Sequence, residues 1–375
     1  MKSNWITATI DDVCTVVTDG AHNSPKSVEQ GHYMASVKDF TEFGFDFSNC
    51  KQIGEEDYER LWNQGCVPEK NDILVGKDGA RYFEDIIIYK QNERPALLSS
   101  IAILRADCKK ITPEFLYYTL KSPAVRKDVR DNYGSGSAIP RIVLKDFKRM
   151  PFSFPSIEEQ RKITNLCSAI DAKIQINNAI NENLEQQAQA IYCDMFITNA
   201  DPSWQLGRLS DLITVRYGKD HKKLADGIYP VYGSGGIMRY VEKPLYDKES
   251  VLIPRKGTLN NVMYVNKPFW SVDTMFFTEM KLPNVAKFVF HFVKSKDLAS
   301  LNAGSAVPSM TTDILNAIEL PIPDADTFYK FENIVAPLYK AMQQNTQESS
   351  KLAELRDSLL PRLMSGELDV SGIDL

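Results

Sequence analysis

The sequence carries few of the marks that announce an enzyme. It has no GxxxxGKS/T loop to cradle nucleotide phosphates and no GxSxG elbow to expose a nucleophilic serine. Gly134-Ser135-Gly136 and Gly233-Ser234-Gly235-Gly236 fall short of GxGxxG, so they read as loops with freedom to turn. The Asn/Asp-Pro-Pro-aromatic signature of adenine methyltransferases is missing, and the nearest stretch, Asp201-Pro202-Ser203-Trp204, lacks the second proline. His22, His32, His221 and His291 show no metal-ligand spacing. Cys14, Cys50, Cys66, Cys108, Cys167 and Cys193 include no CxxC pair, which excludes a zinc ribbon and a dithiol redox motif. We therefore nominate no catalytic residue and no metal ligand, and expect no cofactor in this chain. Long apolar runs are absent too, and Met1-Lys2-Ser3-Asn4-Trp5-Ile6 begins no signal peptide. Scattered thiols without such segments lead us to expect a cytoplasmic protein with no membrane contact.

What the chain does have is length, an uneven charge and a repeat. Its 375 residues carry a net charge of -5. Residues 1–155 sum to -1, 156–200 to -3, 201–323 to +3 and 324–375 to -4. A mildly acidic total therefore does not exclude a local basic surface. Gly136-Ser137-Ala138-Ile139-Pro140 recurs 168 residues later as Gly304-Ser305-Ala306-Val307-Pro308. After each copy an alternating apolar run ends in proline, at Pro155 and Pro323, which predicts a short strand stopped before a helix. Trp5, Ile10, Asp12 and Val13 match Trp204, Leu209, Asp211 and Leu212 at a shift of 199. Ile73-Leu74-Val75-Gly76-Lys77-Asp78-Gly79 resembles Val251-Leu252-Ile253-Pro254-Arg255-Lys256-Gly257 at a shift of 178. The second copy is thus the shorter, with the loss expected in loops and variable segments.

The same 168-residue shift relates two heptad rows. Ile163, Ile170, Asn177, Leu184 and Ile191 become Phe331, Leu338, Asn345, Leu352 and Leu359. Each row predicts a long helix, near 157–196 and 325–364, and forty residues would extend roughly 60 Å. Leu166, Ile174 and Ile180, with Ile334, Met342 and Leu355, are expected to widen the seams, and Pro337 to kink the second helix or delay its start. The predicted fold is α+β: two mixed α/β globules, at 1–155 and 201–323, separated by an antiparallel two-helix coiled coil from 156–200 and 324–375, as a pseudo-twofold repeat. A stiff spacer between unlike heads would suit a target with two different, separated parts.

These stretches together resemble the specificity (S) subunit of type I restriction–modification enzymes. The resemblance rests on the repeated Gly-Ser-Ala-Ile/Val-Pro and on Pro155-Ser156-Ile157-Glu158-Glu159-Gln160-Arg161-Lys162-Ile163 with Ala169-Ile170-Asp171-Ala172-Lys173-Ile174. It rests also on the opening Thr18-Asp19-Gly20-Ala21-His22 and the closing Ser358-Leu359-Leu360-Pro361-Arg362-Leu363-Met364-Ser365-Gly366-Glu367-Leu368. It implies two target-recognition domains that each read one half of a bipartite, asymmetric site on double-stranded DNA. It also implies helices that dock two methyltransferase subunits, with a restriction subunit joining them and S-adenosylmethionine held by the methyltransferase. Where the first copy has Glu158-Glu159-Gln160-Arg161 the second has Asp326-Thr327-Phe328-Tyr329, so equal contacts by the two helix starts are not implied.

Phosphate contacts need exposed cations, and base reading suits arginine and asparagine. The candidates are Lys38, Lys77 and Arg81 in the first globule and Lys219, Lys222, Lys223, Arg255, Lys256, Asn260 and Asn261 in the second. The basic stretch Lys121, Arg126, Lys127 and Arg130 is interrupted by Asp128 and Asp131 and reads instead as a solvated face. The competing class is a non-catalytic adaptor whose globules bind proteins, which would show little salt dependence, and a third is a self-sufficient DNA-modifying enzyme.

Overall fold

The computed structural model describes residues 5–79, 81–133, 141–301 and 309–368. The repeated Gly-Ser-Ala-Ile/Val-Pro stretches lie outside them. The chain divides into two compact units, residues 1–178 with 346–375 and residues 179–345. Both divisions fall inside the two long helices, Ile157–Cys193 and Ala325–Met364.

In the first unit, strand Ile6–Thr9 pairs antiparallel with Pro151–Phe154, so the beginning and end of the globule are tied together. Between them lies a four-stranded antiparallel sheet in the order Cys14–Asp19, Ile101–Ala106, Ile73–Gly76, Ile86–Ile88. A three-stranded sheet, Lys51–Ile53, His32–Ala35, Ala96–Leu97, has its last pair parallel. Ile73, Leu74 and Val75 are buried on both faces, which is why that strand reads as an unbroken apolar run. Helix Pro113–Lys121 opens on proline behind Thr112, whose hydroxyl accepts from the Phe115 amide.

The second unit repeats this order. Gln205–Arg208 pairs with Glu319–Ile322, and the larger sheet runs Ile213–Tyr217, Met275–Met280, Ser250–Pro254, Met263–Val265. The smaller sheet runs Gly236–Val241, Asp226–Gly233, Trp270–Ser271. A bulge between Cys14 and Val16 accounts for the one-residue slip that aligns Gly20 with Gly218 although the preceding strands align at 199. The missing length is more than loop. Where the first unit has the segment 36–50 and helix Glu55–Asn63, the second has a hairpin turned by Ser234-Gly235, with Gly236 at φ +111°.

In each unit the helices run antiparallel. In the first, Arg356 meets Asp171 and Glu348 meets Lys173 and Asn177, so one number falls as the other rises. In the second, the amide of Asn345 donates to Asn181 Oδ1 at 2.9 Å and Phe331 lies against Tyr192. Ile163, Ile170, Asn177 and Phe331 are buried, while Leu184, Ile191, Leu338, Asn345, Leu352 and Leu359 are partly so. A second buried row accompanies this one: Gln160, Cys167, Ile174 and Ala188 on one helix, Phe328, Val335, Arg356 and Leu363 on the other. Of the residues expected to widen the seams, Ile174 is buried and Leu166 and Met342 are partly so, while Ile180, Ile334 and Leu355 are exposed and do not. The second helix begins at Ala325 and runs on through Pro337, so the expected delay of its start does not occur. Pro337 is exposed, as is Asn333, the residue whose carbonyl it leaves without an amide donor.

Candidate nucleic-acid interface

Two turns meet at one end of each larger sheet. In the first unit the chain leaves strand Cys14–Asp19 through Gly20, where a Cβ would lie 2.2 Å from the Leu97 carbonyl oxygen. In the second it leaves Ile213–Tyr217 through Gly218, where a Cβ would lie 2.0 Å from the Val272 carbonyl oxygen. Only glycine permits either approach. The partner turn follows Gly76 in the first unit and Pro254 in the second.

What fills this junction differs. In the first unit Lys77 is buried, its ammonium 3.3 Å from Asp19 and 3.8 Å from Asp78, and Asp19 is buried as well. Lys77 is therefore an internal counter-charge, contrary to the expectation of an exposed DNA-facing cation; burial without a partner would cost several kcal/mol. Arg81 is exposed but forks onto Asp85 at 2.6 and 3.3 Å, which holds the guanidinium's pKa up. Lys38 remains exposed without a carboxylate partner among the described residues.

In the second unit the junction is aromatic. The Arg255 guanidinium lies 5.3 Å from the centre of the Tyr217 ring and donates to the Asp273 carbonyl at 3.3 Å. Lys219, Lys222, Lys223 and Lys256 are exposed, and none of them forms an ion pair among the described residues. Trp270 Nε1 donates to the Lys219 carbonyl at 2.8 Å and the Lys222 amide to Asp220 at 3.1 Å, so the lysine turn has a fixed path. That amide bond is what lowers the Asp220 pKa.

The two asparagines are each hydrogen-bonded within the unit. Asn260 donates to Asp297 at 3.0 Å and accepts from the Ala299 amide at 3.0 Å, while Asn261 donates to the Ser234 carbonyl at 2.7 Å. They brace the loop and join it to the hairpin tip. Asp19, Tyr217 and Trp270, which organise the junctions, were not among the candidates. Tyr217-Gly218 aligned with Asp19-Gly20 was the available signal.

A profile described as the type I restriction modification DNA specificity domain matches this chain twice, over residues 2–186 and 202–354. The type I restriction enzyme MjaIX specificity subunit of Methanocaldococcus jannaschii is 23% identical, over 69% of this chain and 70% of its own length. A putative type I specificity subunit of Mycoplasma pneumoniae is 24% identical, over 71% and 76%. In three dimensions the fold matches the crystal structure of a type I restriction–modification S subunit from M. genitalium, with TM-score 0.51, 21% identity and 96% of each chain covered.

Proposed function

The chain belongs to the type I restriction–modification DNA specificity family, and we propose that its two recognition regions, near residues 1–155 and 201–323, each read one half of a bipartite, asymmetric sequence on double-stranded DNA. One observation carries this reading: the same pair of turns is built twice, and in the second unit it is edged by exposed cations that no carboxylate among the described residues neutralises. Such cations suit phosphates, and differences between the two junctions suit two different half-sites.

The long helices, near 156–200 and 324–375, take the other role. They are acidic and would repel DNA, yet Ile176 and Leu355 in the first unit and Ile180, Ile334 and Tyr329 in the second leave apolar surface exposed on them. We assign this surface to two methyltransferase subunits, through which a restriction subunit joins. The chain itself is non-catalytic in this reading, and S-adenosylmethionine is held by the methyltransferase. Among the described residues no helix is long and apolar enough to cross a membrane; a cytoplasmic site of action belongs to the proposal.

Exchange of residues 201–323 for the equivalent region of a relative is the direct test. Mapping of methylated adenines should show one half of the recognised sequence changed and the other kept. A change in both halves, or in neither, defeats the assignment. Purified chain with DNA and S-adenosylmethionine should transfer no methyl group until a methyltransferase subunit is added.

A further inference from the structure

The basic stretch expected to be a solvated face is split by the fold. Lys127 turns outward onto Asp131 at 2.6 Å. Lys121, Arg126 and Arg130 instead line a cavity of about 630 Å³ in the first unit, opposite Arg356 and Leu360 of the distal helix. Two other cations of the wall are spoken for, since Arg81 is held by Asp85 and Arg356 by Asp171 and Asp357. The three on the stretch are not. Lys121 reaches only the Tyr117 hydroxyl, at 2.9 Å, and lies 5.0 Å from the centre of that ring. Arg126 donates from Nη2 to the Glu84 carbonyl at 3.0 Å, while its Nε is closed off from solvent with no partner among the described residues. Arg130 is exposed and forms no ion pair among the described residues.

A donor left buried and idle beside other cations is costly, and an anion in the cavity would relieve it. Burial, and after it the neighbouring Arg356, pull the Lys121 pKa down; burial does the same to Arg126, against the opposing influence of Glu84. Asp171 and Glu42 offset the loss at Lys121 only in part, as Glu84 does at Arg126, so burial still disfavours both charges.

We propose that this cavity is an oxyanion site that takes a phosphate group, held by Lys121, Arg126 and Arg130. Two guanidiniums and an ammonium match three acceptor oxygens bearing close to two charges better than they match a carboxylate. The volume admits a phosphate borne on a larger body, either a small phosphorylated molecule or one phosphate of a DNA strand. Glu42 and Glu84 on the same wall disfavour a continuous polyanion track. An occupied site would tie the 121–130 stretch to the distal helix within this unit.

The test uses the full chain and inorganic phosphate, with ionic strength held constant by chloride. Calorimetry should give saturable binding and thermal unfolding a matching rise in Tm. Arg130→Gln, at an exposed position, and Lys121→Met should each weaken binding about tenfold or more. A short DNA duplex added as competitor separates the sources: displacement of phosphate points to a DNA phosphate, and coexistence points to a small phosphorylated molecule. No binding by the wild-type chain overturns the proposal. So does equal binding by both variants (an adventitious ion only), or equal binding of acetate, which would make the site one for a carboxylate.

Discussion

The two units share a topology, yet at matched positions along the helices they are fastened by different chemistry, although the second also keeps a buried ion pair of its own, Lys287 with Glu249 and Glu332. In the first, Gln160 is fully buried at the start of the central helix, accepting from the Thr112 amide at 2.8 Å and donating to the Lys110 and Pro155 carbonyls. In the second, the equivalent position is Phe328, packed edge-on against Phe288. Further along, Tyr118 donates to Asp171 at 2.6 Å, and Asp171 also meets Arg356 at 2.5 Å. The second unit puts His291 and Tyr339 in the places of Tyr118 and Asp171. Gln189 Oε1 can only accept, so His291 donates from Nδ1 at 2.7 Å and its Nε2 accepts from the Tyr339 hydroxyl at 2.9 Å. One topology therefore tolerates an ionic lock or a neutral one at these positions, provided the polar groups of the lock itself are matched. The contrast extends to the junctions, where Asp19 and Lys77 bury their charges while Tyr217 leaves that of Arg255 uncancelled.

Removing the carboxylate from the ionic lock should break the contrast most. Asp171→Ala leaves Arg356 buried with weaker partners, and should destabilise the first unit by about 3 kcal/mol. Hydrogen exchange should report that loss in residues 1–178 and leave the amides around His291 as protected as before. Equal loss in both units would mean that the locks are not local.

Acid should strike the other side. Burial, with Lys294 second, lowers the pKa of His291 to about 4 from the ordinary 6.5. The unfolded chain then binds the proton first, so stability is intact above about pH 6.5 and falls as pH drops toward 4. The loss should reach about 3 kcal/mol. Denaturant melts of the wild-type chain and His291→Phe, followed from pH 7 to pH 4, would check this, since the variant should lose that component of the slope. A variant with the unchanged profile would place the acid sensitivity elsewhere.

A smaller effect concerns the surface. If the cations of the second unit contact phosphates, Lys222→Ala or Lys256→Ala should each lower the slope of log affinity against log salt by about one. Lys77→Met should leave that slope alone and weaken folding instead, because its charge is spent on Asp19. An equal slope change from Lys77→Met would erase the distinction between the junctions.

Much of this architecture was legible because it repeats. The short strands that end before Pro155 and Pro323 and the paired helices follow from apolar patterns that recur, whereas their tie to Ile6–Thr9 and Gln205–Arg208, strands with no buried face, was not legible. Of the second buried row only Ile174 was legible; its polar and small members Gln160, Cys167, Ala188 and Arg356 were not, since such residues give no periodic apolar signal. Among the candidate cations, Lys77 and Lys256 look alike in sequence, yet one is a buried counter-charge and the other is exposed.

The sequence by itself determined the duplication, the order of globule and helix, and the apolar row on which the helices meet, because hydrophobic spacing and turn residues act over a few positions at a time. Only the tertiary structure decided which charges are free. Whether a cation faces solvent, a carboxylate or an aromatic ring depends on residues brought in from distant strands: Asp19 to Lys77, Tyr217 to Arg255, Asp171 to Arg356. Desolvation then makes the two buried partnerships, Asp19 with Lys77 and Asp171 with Arg356, compulsory rather than optional, while Arg255 stays beside a half-exposed ring.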